Sequence, residues 1–310
     1  MTKKKLLVIL LGTVGLLAVI DIAVGFGISL YLRHFILPGD YGKIEYMLKR
    51  VNAPIIFLGA STCACSIDSE MLEKGIGKKV FNGGLNDQRL EFFDVMSEAI
   101  LKQSPAPELL ILVLRDNDLT TSDKGRLGIM NIYYHSGNSK LDRYLDSGAL
   151  KQRILLSSVL YRINTFWWRI LLYHFKSFNE LDHGGFIGKP VPKFLPASRT
   201  LTVEKPVSAV NRHKLQCLKN ILNNCRQKGT KLLIMIAPEY FSCSPDFERH
   251  GETVIRQFCT QYSIPLINDS HNPDYINHPE FFFDNYHLNI NGAKVYSEYI
   301  LQLLRKEIAK

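Results

Sequence analysis

Ile55-Ile56-Phe57-Leu58-Gly59-Ala60-Ser61 is a short apolar run that stops at a glycine and delivers a serine. Pro54 precedes it and polar residues follow, so it predicts a buried strand from Pro54 to Leu58. The same punctuation recurs downstream. Lys79-Val80-Phe81-Asn82 runs into Gly83-Gly84, and Glu108 to Leu114 is strongly apolar. Lys231 to Ala237 ends at Pro238, and Pro265 to Asn268 is a shorter run. Helical spacing separates these runs. Asp68 can cap a helix opening Ser69-Glu70-Met71-Leu72, and Leu90 to Leu101 has the three- and four-residue apolar step. The step returns after Val207 with Leu215, Leu218, Ile221, Leu222 and Cys225, and Gly229 is a natural stop. Two more helices are expected at about 247–262 and 292–308. Strands alternating with helices predict an α/β fold with a mostly parallel five-stranded sheet covered on both faces.

Two segments depart from that rhythm. Leu6 to Leu32 is apolar with a single charge, Asp21, and Lys3-Lys4-Lys5 precedes it. A bilayer core needs about 20 apolar residues. The run is longer than a signal-peptide core and lacks a clear cleavage site, so it predicts an uncleaved transmembrane anchor over residues 1–34. The lysines favour a cytoplasmic N-terminus and an extracytoplasmic body. A charge in a membrane helix is costly, so Asp21 is expected near an interface or against a partner. The second departure is an insertion at about 119–206 within the body, residues 35–310. Its apolar stretch from Ile154 through Phe175 carries Tyr161, Phe166, Trp167, Trp168 and Tyr173 beside Arg162 and Arg169. Such a stretch suits a packed helical insertion, a lid, or a surface that touches lipid or a membrane partner.

Composition narrows the classes. The chain has 310 residues, a formal net charge of +9 and no long Lys/Arg block, which argues against nucleic-acid binding. The cysteines Cys63, Cys65, Cys217, Cys225, Cys243 and Cys259 show neither a disulfide framework nor CxxC zinc spacing.

The chemistry concentrates in two places. Ser61 follows the first strand, and ligands of open α/β sheets bind beyond the carboxyl ends of strands. Asp284 and His287 are three apart in Asp284-Asn285-Tyr286-His287-Leu288-Asn289. On a helical turn, residues so spaced lie about 5–6 Å apart at Cβ. The carboxylate can then orient the imidazole, and the imidazole can take the proton of Ser61. Gly84, after the second strand, and Asn117, in Arg115-Asp116-Asn117-Asp118 after the third, could donate to an oxyanion. A metal site from His271, His278, Asp284 and His287 fits no familiar spacing, and this chemistry requires no metal or cofactor. An α/β-hydrolase reading would want Gly-x-Ser-x-Gly, but Thr62-Cys63 follows Ser61.

In this order, the segments resemble the blocks of the SGNH/GDSL hydrolase superfamily. Gly59-Ala60-Ser61 matches the first block, Gly84 or its neighbour Gly83 the second, Asn117 the third, and Asp284 with His287 the last. The resemblance covers about residues 52–118 and 207–305. The chain departs from the pattern in reading Gly-Ala-Ser-Thr for Gly-Asp-Ser-Leu, and in Arg115 where a glycine is usual. The resemblance implies a flavodoxin-like three-layer α/β/α fold and serine esterase or acyltransferase chemistry. Membrane-anchored members look nearest. For these the resemblance implies O-acyl groups of a glycan, or another ester, as substrate, and a multi-spanning O-acyltransferase as membrane partner. The competing expectation is a non-catalytic glycan-binding or scaffold protein on the same fold.

Overall fold

The computed structural model describes residues 2–34, 39–135, 137–146, 148–163, 180–197, 199–200, 209–242 and 249–308. Phe166, Trp167, Trp168, Arg169, Tyr173 and Cys243 lie outside the described residues, as do Val207 and the expected helix start near 247. The chain divides into two compact units, residues 1–42 with 128–178, and residues 43–127 with 179–310.

The second unit is built on five parallel strands: β1 (Ile55–Gly59), β2 (Val80–Asn82), β3 (Leu109–Leu114), β4 (Lys231–Ile236) and β5 (Leu266–Asn268). Their order is β2-β1-β3-β4-β5, the flavodoxin-like order. The expected sheet was mostly parallel; it is wholly so. β1, β3 and β4 have neighbours on both edges and are buried almost throughout, hence their unbroken apolar sequences.

Period-two alternation splits the strand side chains between two helical layers. Ile55, Phe57, Ile111, Val113, Leu233 and Met235 share one core. The short helix α1 (Ser61–Ser66), α2 (Ser69–Ile76) and the C-terminal helix α3 (Ile290–Ile308) complete it through Cys63, Leu72, Tyr296 and Ile300. On the opposite face lie Leu90–Leu101 and Arg212–Lys228, which pack on each other. The first of these is buried on nearly all sides, and even its polar residues are matched across the pair. Lys214 Nζ donates to Glu91 Oε2 at 3.1 Å and Asn220 Nδ2 to Asp94 Oδ2 at 3.0 Å. Expected caps are present. Asp68 accepts from the Met71 N–H, and Gly229 closes its helix at φ 68°.

The first unit contains the helix Lys3–His34, which is long and apolar enough to cross a membrane over Lys3–Ile28. With it go the short helices Leu150–Ser157 and Val159–Ile163. Residues 128–178, read from sequence as an insertion in the body, thus group with this helix, while the remainder of that insertion goes with the sheet.

Candidate active site

Because the five strands are parallel, their carboxyl ends form one edge, and every loop leaving them opens there. The chain steps from β1 outward to β2 and then back across to β3, so the strand order reverses between β1 and β3. Ser61 leaves β1 and Asn117 leaves β3, on either side of that crevice.

Gly59 lets the turn into α1 be abrupt. A Cβ there would lie 2.6 Å from Cys63 Cβ and 2.7 Å from the Val113 carbonyl. Ala60 stays extended and Ser61 is the first helical residue. The first helical bond is Ala64 N–H to the Ala60 carbonyl at 3.1 Å, so the Ser61 amide precedes it in the opening turn. Ser61 is half-buried, whereas its neighbours Thr62, Cys63 and Cys65 are buried. Burial pushes the Cys63 thiol up to about 12 and the Cys65 thiol up to about 11, so neither competes as a thiolate.

His287 Nε2 lies 2.8 Å from Ser61 Oγ. Its Nδ1 lies 2.9 Å from both Asp284 carboxylate oxygens. The order hydroxyl, imidazole, carboxylate is therefore continuous. Asp284 and His287 do not occupy the helical turn expected of their spacing. They sit in a tight loop between a 3₁₀ turn (Pro279–Phe281) and α3. Asp284 Oδ1 accepts the backbone N–H of Tyr286 at 2.8 Å and of His287 at 3.0 Å, which folds the carboxylate under the ring. The Phe283 N–H closes the loop on the His287 carbonyl at 2.8 Å, and Phe282 bridges Leu288. Burial raises the Asp284 carboxyl, but the His287 ring and the two N–H groups outweigh it and hold it below the usual carboxylate value.

Residues outside the expected triad hold this loop. Asn289 is fully buried; its Nδ2 donates to the Glu280 and Phe282 carbonyls while its Oδ1 accepts from the Asn291 and Gly292 amides. One side chain thus fixes both the loop and the start of α3. Asn285 Nδ2 donates to the Tyr240 carbonyl, and the Tyr240 N–H donates to the Asn285 carbonyl. The Arg115 guanidinium lies 4.6 Å from the centre of the Tyr286 ring. Arg115 therefore places a cation beside the histidine loop.

Arg115 belongs to a buried ionic chain at the same sheet edge. Its Nε donates to Glu239 Oε1 at 3.1 Å, and Arg249 joins the other Glu239 oxygen at 2.7 Å. Arg249 also reaches Glu252, which faces His271 at 3.3 Å. Burial alone would raise the Glu252 carboxyl; His271 and Arg249 outweigh it and hold it down at about 2. His278 pairs with Glu280, so His271, His278 and His287 each meet a different carboxylate. Among the described residues no cluster of three or more metal-ligating side chains forms.

The two expected oxyanion residues differ. Asn117 is half-buried in the 3₁₀ turn Asp116–Leu119, and its Oδ1 is buried with no hydrogen-bond partner among the described residues. Gly84 does not offer its N–H outward as expected, because that amide donates to Asn82 Oδ1 at 2.9 Å. The glycine is required by close approach instead: a Cβ would lie 2.3 Å from the Ala64 nitrogen. Asn82 was the overlooked residue. Fully buried at the end of β2, it also donates to the Cys63 and Ile67 carbonyls, so it braces the helix that carries Ser61. An asparagine closing an apolar strand, where the residue type is depleted, was the available signal.

No family model matches the chain, and no curated protein matches it.

Proposed function

We propose that this protein is a membrane-anchored serine esterase or acyltransferase of SGNH type. The observation that carries the reading is the 2.8 Å approach of His287 Nε2 to Ser61 Oγ, with Asp284 on the opposite ring nitrogen. Ser61 attacks the ester carbonyl while His287 takes its proton. His287 then gives that proton to the departing alkoxide, leaving an acyl-serine. Water or a second alcohol repeats the sequence in reverse and frees the serine. Asp284 keeps the imidazole in the tautomer with its lone pair toward Ser61 and stabilises the imidazolium. The Ser61 amide and the Asn117 side chain serve as oxyanion donors, each contributing about 2.7–4 kcal/mol to the transition state. The resemblance to membrane-anchored SGNH members implies O-acyl groups of a glycan, or a similar ester, as substrate, and the orientation favoured by Lys3–Lys5 would put it beyond the membrane. A multi-spanning O-acyltransferase is the membrane partner in this reading.

A fluorophosphonate probe tests the nucleophile directly. The full chain in detergent is expected to label, and Ser61→Ala to lose labelling while keeping its thermal transition. Equal labelling of the two proteins would exclude Ser61 as the nucleophile.

A further inference from the structure

Asp21 lies fifteen residues beyond Leu6 in the membrane-length helix. At about 1.5 Å per residue that is about 22 Å of rise, against a hydrocarbon layer of about 30 Å. With Lys3–Lys5 at one border, an upright helix places Asp21 about 8 Å inside the other border. A carboxylate there needs donors, and it has them. Asp21 Oδ1 accepts from the Ser158 hydroxyl at 2.7 Å and the Leu160 N–H at 2.8 Å; Oδ2 accepts from the Val159 N–H at 2.9 Å. The anchor thus caps, from 137 residues earlier, the opening turn of the helix Val159–Ile163.

The packing around this contact agrees. Most of the anchor is exposed apolar surface, including Ile22 and Phe26, while Asp21, Val24, Gly25 and Ile28 form a half-buried stripe at helical spacing. Gly25 is part of the fit, since a Cβ there would lie 2.7 Å from Val159 Cγ2. The partner helices carry exposed apolar side chains of their own. Leu150 is 73% exposed, Ile154 60% and Leu160 40%, with Lys151 and Arg153 also exposed. Apolar residues interleaved with cations suit the boundary between acyl chains and anionic headgroups.

We propose that helices Leu150–Ser157 and Val159–Ile163 are a second membrane-seated element, clipped to the anchor by Asp21 within the leaflet distal to Lys3–Lys5, with Leu160 against lipid. Asp21 is then neither a lipid-facing charge nor a handle for another protein. Its partner is the chain's own insertion.

The test places an environment-sensitive NBD dye on Leu160→Cys in the full-length chain, reconstituted in phosphatidylcholine–phosphatidylglycerol vesicles. Cys243→Ser removes the one cysteine outside the described residues; the other five are buried. Lys228→Cys, on an exposed position of the sheet unit, gives the aqueous reference. Lipids brominated at the 6,7 acyl positions are expected to quench the dye at 160 at least about twofold more than at 228. Asp21→Leu is expected to abolish that difference, and Gly25→Leu, which keeps the carboxylate but wedges the contact, to reduce it. Circular dichroism of each variant reports its folding. Equal quenching at 160 and 228 in the parent would overturn the proposal, and would direct attention to a protein partner for this surface. Unchanged quenching in folded Asp21→Leu and Gly25→Leu would overturn the clip.

Discussion

Ser61 and His287 stand 226 residues apart in sequence and 2.8 Å apart in space. Neither belongs to the same local structure. The serine is fixed by a strand-to-helix turn that only Gly59 permits, and the histidine by a loop tied down through Asn289. Their meeting is a product of the whole sheet, so substitutions at the supports are as informative as substitutions at the pair.

Replacing Asp284 with asparagine keeps an oxygen that can accept the Tyr286 and His287 amides, but removes the anion from His287 Nδ1. Ester turnover is expected to fall roughly 10²- to 10⁴-fold with little change in binding. The Asp284 carboxyl is held below its usual value, so its stabilisation is complete above about pH 4 and disappears as pH falls further. Steady-state kinetics and thermal unfolding of the two proteins between pH 3 and 7 check both statements. A stability difference that grows toward low pH would contradict the second.

Asn82→Leu keeps the forked shape of the side chain but strands the Cys63 and Ile67 carbonyls and the Gly84 amide inside the protein. A loss of about 2–4 kcal/mol is expected in chemical denaturation. Probe labelling of Ser61 should slow in the fraction that remains folded, because the helix bearing the serine loses its brace.

Gly84→Ala forces a methyl against the Ala64 nitrogen, at a distance of 2.3 Å before relaxation. Since the obstacle is backbone, α1 must shift, and a destabilisation of about 1–3 kcal/mol is expected. If Gly84 acted only through its amide, alanine would retain that amide and leave both stability and labelling intact.

Glu252→Gln removes one partner from the chain Arg115–Glu239–Arg249–Glu252–His271. It leaves a buried guanidinium short of an anion, at about 3 kcal/mol. The Glu252 carboxyl sits at about 2, far below its ordinary value. Its contribution is therefore full above about pH 4.5 and is lost as pH falls toward 2. Denaturation midpoints of parent and variant should converge in that window and stay apart at neutral pH.

The elements bounded by hard punctuation were legible in the sequence. Pro54, Gly59, Pro238 and Gly229 delimit apolar runs whose ends the structure keeps within a residue or two. The pairing of the Asp-x-x-His segment with Ser61 was also legible, but its local form was not. A spacing of three serves a helical turn and an Asx-stabilised loop equally well. What decides between them is tertiary: the Phe282–Leu288 bridge and the Asn289 bonds. The same holds for Asp21. Its cost was evident from the apolar run around it, but the three donors that meet it arise after residue 157, and no local pattern announces them. Asn82 carries no periodic signal, and only its residue type, an asparagine closing an apolar strand, marks it in the sequence.

Ser61 is translated well before His287, its neighbour in the fold, so their meeting has a built-in delay. At about 5–20 residues per second, roughly 10–45 seconds pass between the synthesis of Ser61 and that of His287. Throughout that interval Ser61 has no imidazole to take its proton, so under the proposed function no acyl-serine can form before the fold closes. The order of synthesis therefore makes Ser61 wait for His287.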